Sequence, residues 1–365
     1  MSSKLRMIVA GGGTGGHFFP AQSIYRSLME KGVSIKYMGS KYGIEAKYKK
    51  NNEIDMILLN IKGIQRQLTI DGLLKNFLFP FRFCQSYYKS IKVIKKFKPH
   101  LVIGTGGYSS GLPLIAAIQS GIKTIIQEQN SYPGITTRKL ASKVDMICIA
   151  YDESKNNLNT SNITLTGNPI RNDLYLINKN IAKSSYGFNA NKPVIGILGG
   201  SQGSTPFNNH FKQTINDYRK NNAQLLWQTG KKDYDNLKSY DDKKNIRIIS
   251  FIENMNEFYS AADIIISRSG AIALSEMTFL GKAMVLIPLP HSAGNHQFIN
   301  AKSIEKNGSA ILIQQSQLKL NHLEKSIFDL LKNPKKINQM EKKAKELSFK
   351  DSTEKIINII MEMAQ

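Results

Sequence analysis

At 365 residues the chain is longer than one hydrophobic core normally organises, so two domains are expected. A hydrophobic content of 41% with 21% charged residues excludes a disordered chain, and no apolar run reaches the roughly 18–20 residues of a membrane-spanning helix. The net charge of +23 points to an anionic partner (nucleic acid, an acidic membrane surface or a phosphorylated substrate), although an abundance of Lys, Asn and Ile also fits a genome-wide composition bias.

The opening stretch, residues 1–6, has no cleavable signal pattern, and Cys84 and Cys148 form neither a disulfide framework nor a metal spacing, so a reducing cytoplasm is expected. Residues 4–10 read as a buried strand, followed by a glycine loop and a helix ending near Gly32. Further strands are predicted at 34–38, 101–103, 123–126 and 144–149. The pattern restarts with a strand at Val194–Leu198, a glycine turn, and a helix over 204–220. Strands at 225–228, 246–250, 263–267 and 284–287 continue it. Such alternation predicts α/β domains in which helices cover parallel sheets. Gly167 and Pro169 interrupt the pattern, which sets the expected domains at 1–166 and 167–349. The amphipathic stretch at about 350–365 is expected to pack back on the first domain.

Gly11-Gly12-Gly13-Thr14-Gly15-Gly16 lies between a strand and a helix, where glycine lets backbone approach a phosphate and the helix terminus offers N–H groups. A nicotinamide site would also need an acid at the end of the second strand, and Tyr37-Met38-Gly39-Ser40 supplies none. The Gly-Lys-Ser/Thr ending of a P-loop is missing as well. Gly104-Thr105-Gly106-Gly107 and Gly199-Gly200-Ser201-Gln202-Gly203 follow strands in the same way. Each alone reads equally well as a tight turn; together, at strand C-termini, they are expected to converge on one cleft.

Polar residues stand beside these loops. His17, at the start of the first helix, can bond phosphate, act as a base, or be structural. Glu128, in Glu128-Gln129-Asn130, can be a base or a helix-capping acid. Arg171 can pair with a diphosphate or tether the linker. In the second half, Glu276 follows Ser267-Arg268-Ser269-Gly270 on a helix, where a carboxylate accepts ribose hydroxyls or simply faces solvent. Amides around His296-Gln297 can read sugar hydroxyls. Asp233-Tyr234-Asp235 resembles the acidic pair of metal-dependent sugar transferases, but it sits in a lysine-rich stretch rather than after a strand, and chance explains it better. No metal site is expected.

Between Gly63 and Lys98 eight Lys/Arg and seven aromatics are interleaved with one Asp. The central residues Leu74, Lys75, Phe77, Leu78, Phe81 and Arg82 carry more apolar area than one helix face buries, which suits an anionic bilayer surface. An ordinary buried helix and a single-strand nucleic-acid platform are the alternatives; the latter leaves the glycine loops unexplained.

Gly12-Gly13-Thr14-Gly15-Gly16-His17, Gly106-Gly107-Tyr108, Glu128-Gln129-Asn130, Gly167-Asn168-Pro169-Ile170-Arg171, Gly199-Gly200-Ser201-Gln202-Gly203, Ser267-Arg268-Ser269-Gly270 leading to Glu276, and His296-Gln297 occur in that order. This series resembles the MurG family of glycosyltransferases, family 28, over roughly residues 5–310. The resemblance implies a GT-B fold, two Rossmann-like doubly wound domains facing across a cleft, with no cofactor and no metal in the chemistry. It implies transfer of GlcNAc from UDP-GlcNAc to an undecaprenyl-diphosphate-linked muramylpentapeptide, with inversion, in peptidoglycan synthesis. The implied setting is peripheral, on the cytoplasmic face of the bacterial inner membrane against an anionic membrane surface, with no nucleic acid as partner.

By motif, Ile252 contacts uracil, Glu276 the ribose, and Ala271, Ile272, Ala273, Leu274 and Ser275 lie along the nucleotide. Ser201 and Arg171 hold the diphosphate, Gln297 with His296 reads GlcNAc, and Thr14, Gly15, Gly16 and Asn130 close the site. His17 and Tyr108 match positions near the acceptor. Many members carry a histidine before Glu-Gln-Asn where this chain has Gln127, which leaves His17 and Glu128 as base candidates.

Overall fold

The computed structural model describes residues 4–49, 54–63, 77–320 and 322–365. They form two compact units, Met1–Asn172 with Asp351–Gln365, and Asp173–Lys350.

The first unit carries a parallel sheet of β1 (Arg6–Ala10), β2 (Ser34–Ser40), β3 (Met56–Leu59), β4 (Leu101–Gly104), β5 (Lys123–Glu128), β6 (Met146–Ile149) and β7 (Ile163–Leu165). The strands are ordered β3-β2-β1-β4-β5-β6-β7. β3 and β7 were not expected from the sequence; they are short edge strands of four and three residues. Within β1, Met7 and Val9 enter one core with Phe18, Tyr37 and Ile103, while Ile8 and Ala10 enter the other with Ile94, Leu112 and Leu114. Burial on both faces explains why the strands read as continuous apolar runs.

The helix Ser352–Ala364 belongs to this unit. Ile356, Ile360 and Ala364, four residues apart, enter the core beside Met7 and Val9. Its first turn is tied by Thr353 Oγ1 donating to the Ile170 carbonyl at 3.1 Å and Lys355 Nζ donating to the Leu165 carbonyl at 2.7 Å.

The second unit repeats the plan with β8 (Val194–Leu198), β9 (Gln224–Gln228), β10 (Ile246–Ile249), β11 (Ile264–Ser267), β12 (Ala283–Leu286) and β13 (Ala310–Leu312). These are parallel, in the order β10-β9-β8-β11-β12-β13. Phe207, Phe211, Tyr218 and Trp227 fill its core.

In each unit the first strand lies between neighbours that come after it on opposite sides: β1 between β2 and β4, β8 between β9 and β11. The two loops leaving such a switch point diverge to opposite faces and leave a crevice at the strand carboxyl ends. The glycine loops after β1, β4 and β8 all sit at these crevices.

Candidate active site

In the first unit the helix Gly15–Glu30 starts at the crevice, with no acid in its first turn and no side-chain cap from Thr14. Its N–H end, with Thr14, Gly15 and Gly16, therefore presents positive dipole. His17 stands over the loop after β4, so close that a Cβ on Gly106 would lie 2.7 Å from its Nδ1.

That nitrogen lies 3.0 Å from the Thr105 carbonyl oxygen and 2.9 Å from Gln129 Oε1. The amide of Gln129 can face only one way, because its Nε2 donates to the carbonyls of Thr105 at 2.9 Å and Gln127 at 2.7 Å, which only accept. Both partners of Nδ1 are thus acceptors, and the proton of a neutral His17 sits on Nδ1. The lone pair is left on Nε2. Gln127 Nε2 donates in turn to Asn168 Oδ1 at 3.0 Å, and Asn168 Nδ2 to the Gln129 carbonyl at 3.1 Å. A buried amide network thereby joins β5 to the Gly167–Arg171 segment.

Glu128 is buried at the end of β5. Its Oε1 accepts from the backbone N–H and side-chain amide of Asn130 at 3.1 and 3.2 Å, and its Oε2 from Gly134 N–H at 3.0 Å and the Thr137 hydroxyl at 2.5 Å. These bonds shape the turn after β5 and set Asn130 at its edge. Tyr108 is exposed at the start of its helix, its ring edge-on to Phe79 at 6.2 Å. Arg171 is exposed, and the Ile170 carbonyl before it accepts from Ser23 Oγ at 2.8 Å.

Glu45 went unnoticed in the sequence. It is fully buried and holds the first glycine loop: Gly13 N–H is 3.0 and 2.9 Å from its two oxygens, and Ser40 N–H donates to Oε1 at 2.7 Å. A Cβ on Gly12, Gly39 or Gly43 would collide with its side chain. The one signal in the sequence was Gly39 and Gly43 bracketing the turn before it.

In the second unit Ser201 is exposed in the turn after β8, and Ile252 is buried after β10. The helix Ala271–Leu280 buries Ala271, Leu274 and Glu276 and leaves Ile272, Ala273 and Ser275 half-buried. Leu274 points into the core. Glu276 Oε2 accepts from the Tyr259 hydroxyl at 2.8 Å. Gln297 Oε1 accepts from Leu289 N–H at 3.0 Å, which ties it to the loop after β12.

Arg268, in the Ser267–Gly270 motif, is buried at the centre of these loops. Its guanidinium donates to the carbonyls of Ile287 and Pro288, both at 3.1 Å, to Ser204 Oγ at 2.8 Å and to Gln315 Oε1 at 2.6 Å, and stacks over Phe207. Burial pulls its pKa down to about 10. Asp233 accepts from Thr205 Oγ1 at 2.7 Å and Asn208 Nδ2 at 2.8 Å, bonds that join two helices. Among the described residues no group of three or more His, Cys, Asp or Glu is placed to hold a metal ion.

Of the basic aromatic segment, Leu74 and Lys75 lie outside the described residues. Phe77 is 83% exposed and Phe81 70%, and Leu78 and Tyr88 are exposed too. The helix Phe79–Phe97 buries Ser86, Ser90 and Ile94 instead, a stripe in which two of three residues are small and polar. Arg82 lies over the Tyr42 ring.

Two parallel α/β units, each gathering its polar residues at the carboxyl ends of its strands, define a protein of the GT-B fold class. The family model described as Glycosyltransferase family 28 N-terminal domain matches residues 7–149, and that of the C-terminal domain residues 194–356. A Flavobacterium psychrophilum protein named UDP-N-acetylglucosamine–N-acetylmuramyl-(pentapeptide) pyrophosphoryl-undecaprenol N-acetylglucosamine transferase is 39% identical, covering 99% of this chain and 98% of its own length. A Christiangramia forsetii protein of the same name is 36% identical, covering 98% and 97%. The crystal structure of Acinetobacter baumannii MurG matches with a TM-score of 0.75 at 25% identity, covering 98% of this chain and 99% of that one. The chain belongs to glycosyltransferase family 28 and, within it, to the MurG family.

Proposed function

We propose that this chain is an inverting hexosyltransferase that moves GlcNAc from UDP-GlcNAc to the 4-hydroxyl of undecaprenyl-diphosphate-linked muramylpentapeptide, converting lipid I to lipid II in peptidoglycan synthesis. The observation that carries the mechanism is the pair of acceptors at His17 Nδ1, which puts the basic lone pair on Nε2.

His17 Nε2 takes the proton of the acceptor hydroxyl as its oxygen bonds to the anomeric carbon. The bond from that carbon to the diphosphate breaks on the opposite face, so the α-linked donor gives a β-1,4 product. UDP leaves with the bonding electrons. Arg171, Ser201 and helix N-terminal N–H groups stabilise the growing diphosphate charge, and no metal is required. Glu128, whose oxygens already accept four hydrogen bonds, positions Asn130 rather than taking the proton.

The donor is held by the second unit: uracil at the Ile252 backbone, ribose at Glu276, the nucleotide along 271–275. The GlcNAc hydroxyls bond to Gln297 through Nε2, since its Oε1 is engaged. The acceptor is held by the first unit, with Tyr108 beside it. The exposed Phe77, Leu78 and Phe81 with Arg82 seat the protein peripherally on anionic lipid at the cytoplasmic face of the inner membrane. Two facts support this seat: the Phe79 ring joins the patch to Tyr108, and no helix of the described residues is long and apolar enough to cross a membrane. An apolar surface of this kind fits lipid better than nucleic acid.

Transfer of radiolabelled GlcNAc from UDP-GlcNAc to a lipid-diphosphate muramylpentapeptide analogue, in EDTA, tests the reading. The expected product is labelled disaccharide-lipid. Free ManNAc without lipid would reassign the chain as a 2-epimerase, and activity that EDTA abolishes would overturn the metal-free mechanism.

A further inference from the structure

Glu276 is 6% exposed, and Tyr259, whose hydroxyl donates to its Oε2 at 2.8 Å, is 0% exposed. A phenol that donates to a buried carboxylate makes a charge-assisted bond, shorter and stronger than one between neutral groups. It also fixes the rotation of the carboxylate about its last bond, so the directions of the remaining lone pairs become a property of the protein before any ligand arrives. Tyr259 itself has little freedom. Its helix, Met255–Ala261, is capped by Asn254, whose side chain accepts from Asn256 N–H at 3.1 Å and Glu257 N–H at 3.2 Å. The neighbouring Phe258 packs where a side chain on Gly196 would stand, with its ring 2.8 Å from that ideal Cβ position, so the glycine in β8 lets the helix seat against the sheet. Ile177 N–H donates to Ser260 Oγ at 2.9 Å and pins the far side.

We infer that Tyr259 is a positioning residue of the donor site, which aims the Glu276 carboxylate at the ribose and so sets the preference for a ribonucleotide over a 2′-deoxyribonucleotide. This rests on the proposal that Glu276 receives the ribose hydroxyls. The short segment from Ile252 to Tyr259 then serves both parts of the nucleoside, its first residue beside the base and its last holding the sugar's acceptor. Misplacing that segment would loosen base and ribose together.

The test is calorimetric titration of the full-length chain with UDP and with 2′-deoxy-UDP, for wild type, Glu276→Ala and Tyr259→Phe. Tyr259→Phe removes one oxygen and keeps the ring. Both nucleotides are titrated against the same preparation, so a reduced folded fraction cancels from the ratio of their dissociation constants. Wild type is expected to favour UDP by about tenfold, the scale of one hydrogen bond to a charged group, with Glu276→Ala close to no preference. Tyr259→Phe is expected to reduce the ratio to about threefold or less. A Tyr259→Phe ratio equal to that of wild type, while Glu276→Ala loses its preference, would overturn the inference and leave the ribose reading intact; Tyr259 would then be a core tyrosine whose hydroxyl merely needed a partner. Wild type without preference, or Glu276→Ala with the full preference, would remove the ribose reading and the inference with it.

Discussion

His17 Nδ1 and Gln129 Oε1 stand 2.9 Å apart, and the same Gln129 amide donates through Nε2 to the carbonyl of Thr105, the other acceptor facing that nitrogen. The Thr105 carbonyl and the Gln129 amide oxygen together therefore set the tautomer of the histidine. Gln129→Leu removes one of the two acceptors and frees the ring to turn. Its turnover with a soluble acceptor analogue is expected to fall about tenfold, and that of His17→Ala by about a hundredfold to ten-thousandfold, the range of a lost general base. UDP affinity, measured on the same preparations, should not change. Wild-type turnover in His17→Ala would exclude it as the base.

Glu45 is expected to brace the first glycine loop. Glu45→Ala leaves the N–H groups of Gly13 and Ser40 without their acceptor and opens a void among Gly12, Gly39 and Gly43. The cost should be about 1–3 kcal/mol for the Ser40 N–H left buried and unpaired, whereas water can reach the exposed Gly13. A thermal melt should show an earlier transition, and acceptor KM should rise while UDP binding is unchanged. An unaltered melt would mean the loop holds itself.

Donor recognition depends on Glu276. Glu276→Ala should weaken UDP-GlcNAc binding by about 1–3 kcal/mol, the range for lost hydrogen bonds to a charged group. Calorimetry reads this directly, and an unchanged affinity would rule out the ribose role.

The exposed aromatics predict a separation of membrane binding from chemistry. Phe77→Asp combined with Phe81→Asp should cut flotation with anionic liposomes and leave activity on a soluble acceptor analogue near wild type, because both side chains face solvent. Flotation at the wild-type level would reject the patch.

In the second unit, Glu324 accepts from His210 Nε2 at 2.7 Å and the Tyr218 hydroxyl at 3.1 Å. Burial pushes its carboxyl pKa up, but the hydrogen bonds and the charge of His210 outweigh that and hold it below 4.5. Folding thus favours the ionised form: the stabilisation is complete above the unfolded value near 4.5 and is lost as pH falls through the lower folded value. Glu324→Gln should melt earlier than wild type at neutral pH, and the two melting curves should converge in acid. A gap of constant size across that range would assign the effect to packing.

Much of the chain's plan was legible in its local pattern. Strand–glycine–helix units around Gly11–Gly16 and Gly199–Gly203 can be read because a buried parallel strand must be apolar throughout and a close turn before a helix selects glycine. The edge strands β3, β7 and β13 were missed because they are short: β7 and β13 span three residues each, and the four apolar residues of β3 read equally well as part of a buried helix. The basic aromatic segment was recognised as having too much apolar area for one face. That its helix buries Ser86, Ser90 and Ile94 was not, because which face packs depends on the neighbour's shape.

The sequence by itself determined the α/β alternation, the positions of the glycine loops and the family, since all three rest on residues near one another along the chain or on ordered motifs. Only the tertiary structure decided that Gln129 and Thr105 both face His17, that Glu45 rather than a ligand takes the Gly13 N–H, and that Tyr259 holds Glu276. Those partners lie from 17 to 112 residues apart, far beyond the short spacings of a helix or strand, so no periodicity announces them. They meet because the parallel sheets bring the ends of distant strands to one edge, and a hydrogen bond reports only the distance between its atoms, not the length of chain between them.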